Sequence, residues 1–276
     1  MSFAADTPYS WSFDPAVLAS IALVGGVYGW RVLDLRSPGV PRATRIPHAG
    51  LRTVAFAAGL LVLAVALVSP IDTLGERRLF SVHMAQHLLI MDIAPILLLL
   101  GLSRPFLRPV VRRARPLESS LGFVAHPLTA LCAMVIVVWL WHLPAMYELA
   151  LRHPLAHALE HMTFFGTGIA FWWYVLEPVP PRHRLDGVWP VLYVAAAKLL
   201  FGALGLVLAF APSAFYDTYK GAPRTWGMTA LEDQNVGGFL MMLEQTLVLA
   251  VFFAIAVARM IERSERAQQR RERFGA

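Results

Sequence analysis

Residues 79–101 read LFSVHMAQHLLIMDIAPILLLLG, and this stretch decides the fold class. Its only charged residue is Asp92, and it has the roughly 20 residues that an apolar helix needs to cross about 30 Å of hydrocarbon. The whole chain agrees with this stretch, because 57% of its 276 residues are hydrophobic and only 15% are charged. The sequence therefore predicts an all-α, polytopic membrane protein.

Seven such apolar runs follow one another along the chain. They lie at residues 15–34, 52–69, 79–101, 126–142, 155–177, 188–211 and 233–259. The fourth run is short, because Pro144 ends it. The connections are too short for a soluble domain, so we expect a single bundle of seven transmembrane helices over residues 1–276, with a basic cytoplasmic tail at 260–276.

The distribution of lysine and arginine predicts the orientation of this bundle. Eighteen of the 24 basic residues lie in the first, third and fifth connections and in the tail, against five on the opposite side. Short loops rich in Lys and Arg stay in the cytoplasm. We therefore expect the N-terminus outside the cytoplasm and the C-terminus inside it.

Most histidines lie on the outer side of this predicted bundle. His83 and His87 occupy the first turns of the third span, and His157 and His161 occupy those of the fifth. Residues four apart share one face of a helix, so each pair is able to ligate one ion or two adjacent ions. His142 ends the fourth span at the same surface. Imidazoles inside apolar helices are costly, so we predict a metal or haem site rather than five separate structural histidines.

Four polar residues near these histidines are candidates for supporting roles. Glu160 lies beside the second pair, and Glu232, Asp233 and Gln234 open the seventh span at the outer surface. A carboxylate at a helix N-terminus is often a simple cap, because the helix dipole favours it there. The alternative is that these residues orient the imidazoles or form the mouth of the site.

The available sulfur ligands point to copper. Cys132 is the only cysteine, so the chain is unable to build a thiolate cage or a disulfide framework. Met241 lies about two turns deep in the seventh span, near the level of the histidines. Imidazole combined with thioether suits copper, particularly Cu(I), and we therefore include Met241 among the candidate ligands.

Three further ionisable residues, Asp92, Lys198 and Glu244, lie near the predicted midplane of the membrane. Charged groups at that depth are retained when they pair with one another or carry protons. We favour an internal ion pair or triad that holds helices together over a proton relay.

Four ordered motifs carry a family resemblance: SVHMAQHLLIM at 81–91, WLWHLPAMYELAL at 139–151, HALEHMTFFGTGIAFWW at 157–173 and LEDQNVGGFLMM at 231–242. With them the chain resembles the bacterial cytochrome c oxidase assembly factor family CtaG over roughly residues 50–260. The resemblance implies a factor that is needed to make active haem-copper oxidase and is associated with copper supply. These residues fall on its motif positions: His83, His87, His142, His157, Glu160, His161, Glu232, Asp233 and Gln234.

The resemblance also sets the cellular context. It implies a multi-pass protein of the bacterial cytoplasmic (inner) membrane, whose partners are subunits of the haem-copper oxidase, an extracytoplasmic copper donor and membrane lipid. Nucleic acid is not expected as a partner, because an inside anchor explains the basic tail. A homo-oligomer remains open. We expect copper to be bound in the outer half of the membrane and passed to the oxidase, without enzymatic turnover.

Three rival interpretations remain. His157 to His161 spells H-x-x-E-H, which is the inverted zinc hydrolase motif with Glu160 as general base. Histidines of the third and fifth spans are also suited to be axial ligands of haem. A scaffold that holds the oxidase without metal is the third.

Overall fold

The computed structural model describes residues 9–41, 45–120 and 122–274, and regular structure within them is helical. Arg42 of the first connection and the last two residues of the tail lie outside the described residues. The α-helices are α1 Pro15–Arg36, α2 Ala49–Val68, α3 Pro70–Arg77, α4 Phe80–Leu88, α5 Ala94–Gly101, α6 Arg104–Ser120, α7 Pro127–Trp141, α8 Pro144–Arg152, α9 Pro154–Leu176, α10 Trp189–Ala209, α11 Asp217–Lys220 and α12 Ala230–Phe274. A π-helical segment, Leu89–Ile93, joins α4 to α5, and a 3₁₀ turn, Gly122–Ala125, precedes α7.

Every predicted span falls on a helix, although not every helix meets the requirements for crossing a membrane. Among the described residues, five helices are long and apolar enough by length and composition, and a sixth is added if α7 and α8, bent by 76°, form one span. Helix α9 has sufficient length, but the histidines and the glutamate in its first half lower its hydropathy. The helices thus show a multi-span membrane protein, and the number seven stays a prediction.

Prolines set where several of these helices begin. The proline ring fixes φ near the helical value, and its missing N–H is not needed in the first turn. Pro144 starts α8, so the chain turns sharply at His142 and Leu143, as expected from the short fourth span. The other helices that begin with proline are α1, α3, α7 and α9.

The continuous span Phe80–Gly101, formed by α4, the π-helical segment and α5, is the centre of the bundle. Of its apolar window 67% is buried, against 11% for α1 and for the apolar part of α12. Helices α9 and α12 pack directly against it, and α10 packs against α12. The histidine-bearing helix α4 is therefore enclosed by protein, while α1 is peripheral.

The π-helical segment follows from Pro95 and permits a close contact. Proline lacks the N–H that would bond the carbonyl four residues earlier, here Met91. Gly168 of α9 packs against that carbonyl oxygen so closely that a Cβ at position 168 would overlap it. The glycine thus lets α9 approach the centre of the bundle, which brings its histidines towards those of α4.

The three charged residues predicted near the midplane come together as a triad, which we call the midplane triad. The ammonium of Lys198 lies 3.0 Å from an oxygen of Asp92 and 3.5 Å from an oxygen of Glu244. The indole N–H of Trp172 donates to the same oxygen of Asp92 at 2.8 Å. The predicted ion triad is therefore confirmed, and it ties the π-helical segment to α10 and α12.

Candidate metal centre

Two histidine pairs face each other between α4 and α9. The ring centroids of His83 and His87 are 4.2 Å apart, and those of His157 and His161 are 4.1 Å apart. Across the interface, His83 lies 5.5 Å from His157, and His87 lies 5.5 Å from His161. The i, i+4 spacing within each helix and the close approach of the helices thus gather four imidazoles in one place.

Four of the residues in this region have the spacing of a metal-binding group. Ligand atoms of His83, His87, Glu160 and His161 all lie within 4.8 Å of one another. Two ligands bound to one ion at about 2.0–2.2 Å are separated by at most about 4.4 Å, so small side-chain rotations complete the geometry. We call these four residues the His–Glu cluster. Glu160, which the sequence placed in a supporting role, belongs to it.

The His–Glu cluster contains polar atoms that are buried without a partner. Among the described residues, no hydrogen bond reaches Nε2 of His83, either ring nitrogen of His87, Nε2 of His161 or either carboxylate oxygen of Glu160. Burying such a group without a partner costs roughly 1–3 kcal/mol, and native proteins rarely leave several together. An ion that accepts lone pairs from all of these groups would compensate that cost, so the donor set fits a metal.

Hydrogen bonds orient His83 towards the middle of the cluster. Its Nδ1 lies 2.7 Å from the hydroxyl of Tyr147, which lies 2.9 Å from the hydroxyl of Tyr219. The Tyr219 hydroxyl donates to the carbonyl of Gly75 at 2.8 Å. A chain in which His83 donates to Tyr147 and Tyr147 donates to Tyr219 satisfies all three groups. It leaves the lone pair of His83 on Nε2, which is the nitrogen that faces the cluster.

His157 lies closer to the protein surface than the His–Glu cluster, beside Glu76. Its Nδ1 is 2.6 Å from Oε1 of Glu76, and the two side chains are 11% and 30% exposed. A carboxylate only accepts hydrogen bonds, so Nδ1 of His157 carries a proton that it donates to Glu76. Asp72, one turn before Glu76, has its carboxyl pKa raised by burial and by the charge of Glu76. His157 and Glu76 thus connect the buried cluster with the exposed surface.

His142 and Met241 are brought near the cluster but not into it. The ring of His142 is 6.3 Å from that of His87, and its Nε2 is 3.2 Å from the sulfur of Met84. Met241 is buried and lines a small cavity together with His87 and His142. These two predicted ligands therefore form a separate group, which touches the cluster through His87.

Comparison with known proteins identifies the family. The sequence model of the family "Cytochrome c oxidase caa3 assembly factor (Caa3_CtaG)" matches residues 26–263. The chain belongs to this family. Its members are cytochrome c oxidase assembly factors, which confirms the resemblance carried by the four motifs, and those motifs contain every residue of the His–Glu cluster.

Three mycobacterial proteins are similar to the chain over more of its length than the family model covers. It is 23% identical over 290 residues to an uncharacterized protein of Mycobacterium leprae, and 24% identical over 283 residues to uncharacterized proteins of Mycobacterium bovis and Mycobacterium tuberculosis. Each alignment covers 95% of this chain and 41% of the relative, so the chain spans about two fifths of the length of these curated relatives. No solved structure matches it.

The N-terminal end of α12 supports the candidate metal centre without contributing to the metal-binding group. Glu232 is exposed and accepts hydrogen bonds from the N–H and hydroxyl of Thr229, which forms a capping box. Asp233 is buried and accepts from the N–H groups of Phe80 and Ser81, so it caps the helix that carries His83 and His87. Gln234 accepts from the N–H of Phe215 at 2.7 Å. Asp233 is thus a positioning residue.

Three residues of the site were missed by sequence reasoning: Glu76, Tyr147 and Tyr219. Tyr147 lies within one of the motifs, five residues after His142, and was therefore visible. Glu76 is separated from His157 by 81 positions and Tyr219 from His83 by 136, so only the folded chain brings them together. The available signal for Glu76 was a pair of acidic residues four positions apart, Asp72 and Glu76, just before His83.

Proposed function

We propose that this assembly factor binds copper at the His–Glu cluster and passes it to a haem-copper cytochrome c oxidase. The observation that carries the proposal is the convergence of unpartnered, buried nitrogen and oxygen atoms within 4.8 Å. Copper is the cargo in this proposal, since the family serves an oxidase whose function depends on that metal. The role is binding and transfer, and we propose no catalytic turnover.

The charge of the cluster favours Cu(I). Neutral imidazoles from His83, His87 and His161 contribute no charge, and the carboxylate of Glu160 contributes one negative charge. Cu(I) therefore gives a neutral complex, whereas Cu(II) or Zn(II) gives a net positive one. Uncompensated charge is costly in a buried, apolar environment, so the monovalent ion is the better match.

The proposed topology has seven spans, with the N-terminus outside and the C-terminus in the cytoplasm of a bacterial inner-membrane protein. Two further spans join the five that are apolar enough on their own. Helix α7 together with α8 forms one of them, and α9 forms the other. The asymmetry of the basic residues supports the orientation. In this arrangement all of residues 1–276 form one transmembrane domain, and the cluster lies in the outer half of the membrane.

Copper reaches the cluster from the outer surface in this proposal. Glu76 and His157 are the partly exposed residues that lead to the buried ligands. An extracytoplasmic donor would release the ion there, and the oxidase would receive it laterally within the membrane. The segment Glu232–Gln234 acts on this route only by fixing α4 and the loop before α11. Partners are oxidase subunits and lipid, and a homo-oligomer is left to measurement.

The test is the metal content and optical spectrum of detergent-purified protein after growth in copper-replete medium. The triple variant His83→Ala, His87→Ala, His161→Ala is compared with wild type and with a control that loses two exposed histidines, His153→Ala and His183→Ala. Less copper in the triple variant than in wild type and control is the expected result, because the control leaves the His–Glu cluster intact.

Each other outcome of this test supports a different function. Zinc alone, with peptidase turnover abolished by Glu160→Gln, would establish the hydrolase. That interpretation needs His157 and His161 on the ion with Glu160 free, whereas the metal-binding group contains Glu160 and omits His157. A Soret band would establish a haem protein. Absence of any metal, with oxidase assembly intact in the triple variant, would leave a scaffold.

A further inference from the structure

A small cavity adjoins the His–Glu cluster on its deeper side, where α4, α7, α9, α10 and α12 meet. The side chains that matter for its chemistry are Met84, His87, Met91, His142, Met241 and Gln245. Methionine often fills gaps in a core, but here three thioether sulfurs lie in the same buried cavity as two imidazoles. Thioether and imidazole together form a soft ligand set that selects Cu(I).

The contact between His142 and Met84 places two lone pairs against each other. Nδ1 of His142 lies 2.7 Å from the carbonyl oxygen of Val138, which only accepts hydrogen bonds, so Nδ1 carries the proton. Nε2 of His142 then presents a lone pair to the sulfur of Met84 at 3.2 Å. Neither atom has a proton to share. A cation held by both resolves this contact, and with bonds of about 2.0 and 2.3 Å it would subtend about 95°, which suits a three- or four-coordinate ion.

His87 joins this cavity to the His–Glu cluster. Neither of its ring nitrogens has a hydrogen-bond partner in the described part of the chain, and its side chain is buried. One nitrogen lies 3.7 Å from Oε1 of Glu160 in the cluster, and the ring also lines the cavity. An ion held on one side of the ring needs only a short displacement to reach the other side.

Acidic groups below the cavity favour a cation in it. Gln245 lines the cavity and donates to Glu244, a member of the midplane triad. The triad places two carboxyl groups, Asp92 and Glu244, against the single ammonium of Lys198. A monovalent cation among neutral thioethers and imidazoles would favour the ionised form of Glu244, whose charge then compensates the cation in a medium of low dielectric.

We propose that this cavity is a second Cu(I) site, deeper in the membrane than the His–Glu cluster, with Met84, Met241 and His142 as ligands. His87 is able to ligate an ion in either site but only one at a time, because a neutral imidazole has a single lone pair. The proposal rests on the proposed function, because it takes the ion that the cluster admits. The two sites form a relay in which nitrogen and oxygen ligands receive copper and sulfur ligands carry it inward. No electron transfer is required, since copper stays in the monovalent state.

The experiment titrates purified full-length protein with Cu(I) under anaerobic conditions, in competition with a chromogenic Cu(I) chelator. X-ray absorption at the copper edge then distinguishes sulfur from nitrogen or oxygen neighbours. Wild type is expected to bind about two ions per chain with sulfur in the coordination sphere. The variant Met84→Leu, Met241→Leu is expected to bind one ion without sulfur, because leucine keeps the volume of methionine but donates no lone pair.

Matched variants separate this inference from the proposed function. The control Met162→Leu, Met228→Leu changes two methionines outside the cavity and should keep both ions. The variant Glu160→Gln, His161→Gln should keep one ion, bound with sulfur.

Wild type with one ion and no sulfur would overturn the second site and leave the proposed function standing. Wild type without copper would overturn both. Two ions in the Met84→Leu, Met241→Leu variant, or loss of both ions in the Glu160→Gln, His161→Gln variant, would also overturn the second site.

Discussion

Two groups of polar side chains interrupt the apolar interior of this protein, and they differ in how they are satisfied. In the midplane triad, Lys198 contacts both carboxylates, and Trp172 donates to Asp92. In the His–Glu cluster, the atoms that face one another have no hydrogen-bond partner among the described residues. Both groups are costly to bury, yet only in the triad do opposite charges of the protein compensate most of the cost, although Oδ2 of Asp92 has no hydrogen-bond partner among the described residues.

The difference separates groups that hold the fold from groups that bind a ligand. A satisfied triad stabilises helix contacts only while all its members are present, so losing one member exposes the others. An unsatisfied cluster contributes little to folding, and removing its polar atoms relieves an unfavourable burial. Stability and copper affinity should therefore respond oppositely to mutations in the two regions.

The largest effect is expected for Lys198→Met. Removing the ammonium leaves Asp92 and Glu244 buried beside each other, which costs about 3–5 kcal/mol of folding stability. The measurement is the thermal unfolding midpoint in detergent. The variant Asp92→Asn, Lys198→Met, Glu244→Gln serves as the control and should recover most of the loss, because it removes all the charges. If the Lys198→Met variant were as stable as wild type, the triad would not belong to the groups that hold the fold.

The next largest effect is expected for Glu160→Gln. This variant should bind copper more weakly without losing stability. The amide keeps the shape but removes the only negative charge of the cluster. We expect copper affinity to fall about 100-fold, which corresponds to about 2.7 kcal/mol. Chelator competition gives the affinity and the unfolding midpoint gives the stability. A marked loss of stability with unchanged affinity would place Glu160 among the structural residues.

Tyr147→Phe tests the partner that orients His83. Without the hydroxyl, Nδ1 of His83 loses its 2.7 Å contact, and we expect about a tenfold loss of copper affinity. Tyr193→Phe is the matched control, because the buried Tyr193 hydroxyl has no hydrogen-bond partner within the described ranges. Its removal should leave affinity unchanged. Equal effects of the two substitutions would show that the orientation of His83 does not depend on Tyr147.

The smallest effect is expected for Asp233→Ala. Loss of the cap on α4 should lower stability by about 1 kcal/mol and accelerate copper release, since His83 and His87 lie in the first turns of that helix. Glu232→Ala removes an exposed capping contact of α12 and should leave the release rate unchanged. Stopped-flow transfer of copper to a chelator measures the rate. An identical rate in both variants would show that the cap does not position the site.

The sequence was sufficient for the positions of the helices and for the two histidine pairs, because both follow from local spacing. The seven apolar runs each fall on a helix, and the i, i+4 pairs lie on facing sides of α4 and α9. The roles within the site depended on tertiary contacts instead. Glu160 and Asp233 were both predicted to have supporting roles, but the fold places Glu160 in the metal-binding group and makes Asp233 a cap of α4.

Short connections were harder to predict than spans. Helices α3, α8 and α11 lie between the apolar runs, and hydropathy gives no reason for their directions. They nevertheless carry Glu76, Tyr147 and Tyr219, which fix His157 and His83. Their positions depend on proline-initiated turns and on single contacts such as Glu148 with Thr218, which a periodic pattern does not report.

The bond between Asp233 and the start of α4 has a consequence for biogenesis. It joins residues 152 and 153 positions apart, and the capping carboxylate belongs to a span that is synthesised long after α4. Until that span is inserted, the first turns of α4 lack their cap and the histidines they carry are not fixed. In the proposed function, copper capture is thereby coupled to insertion of α12, and a polypeptide in the membrane that lacks α12 is expected to be a poor scavenger of a toxic ion.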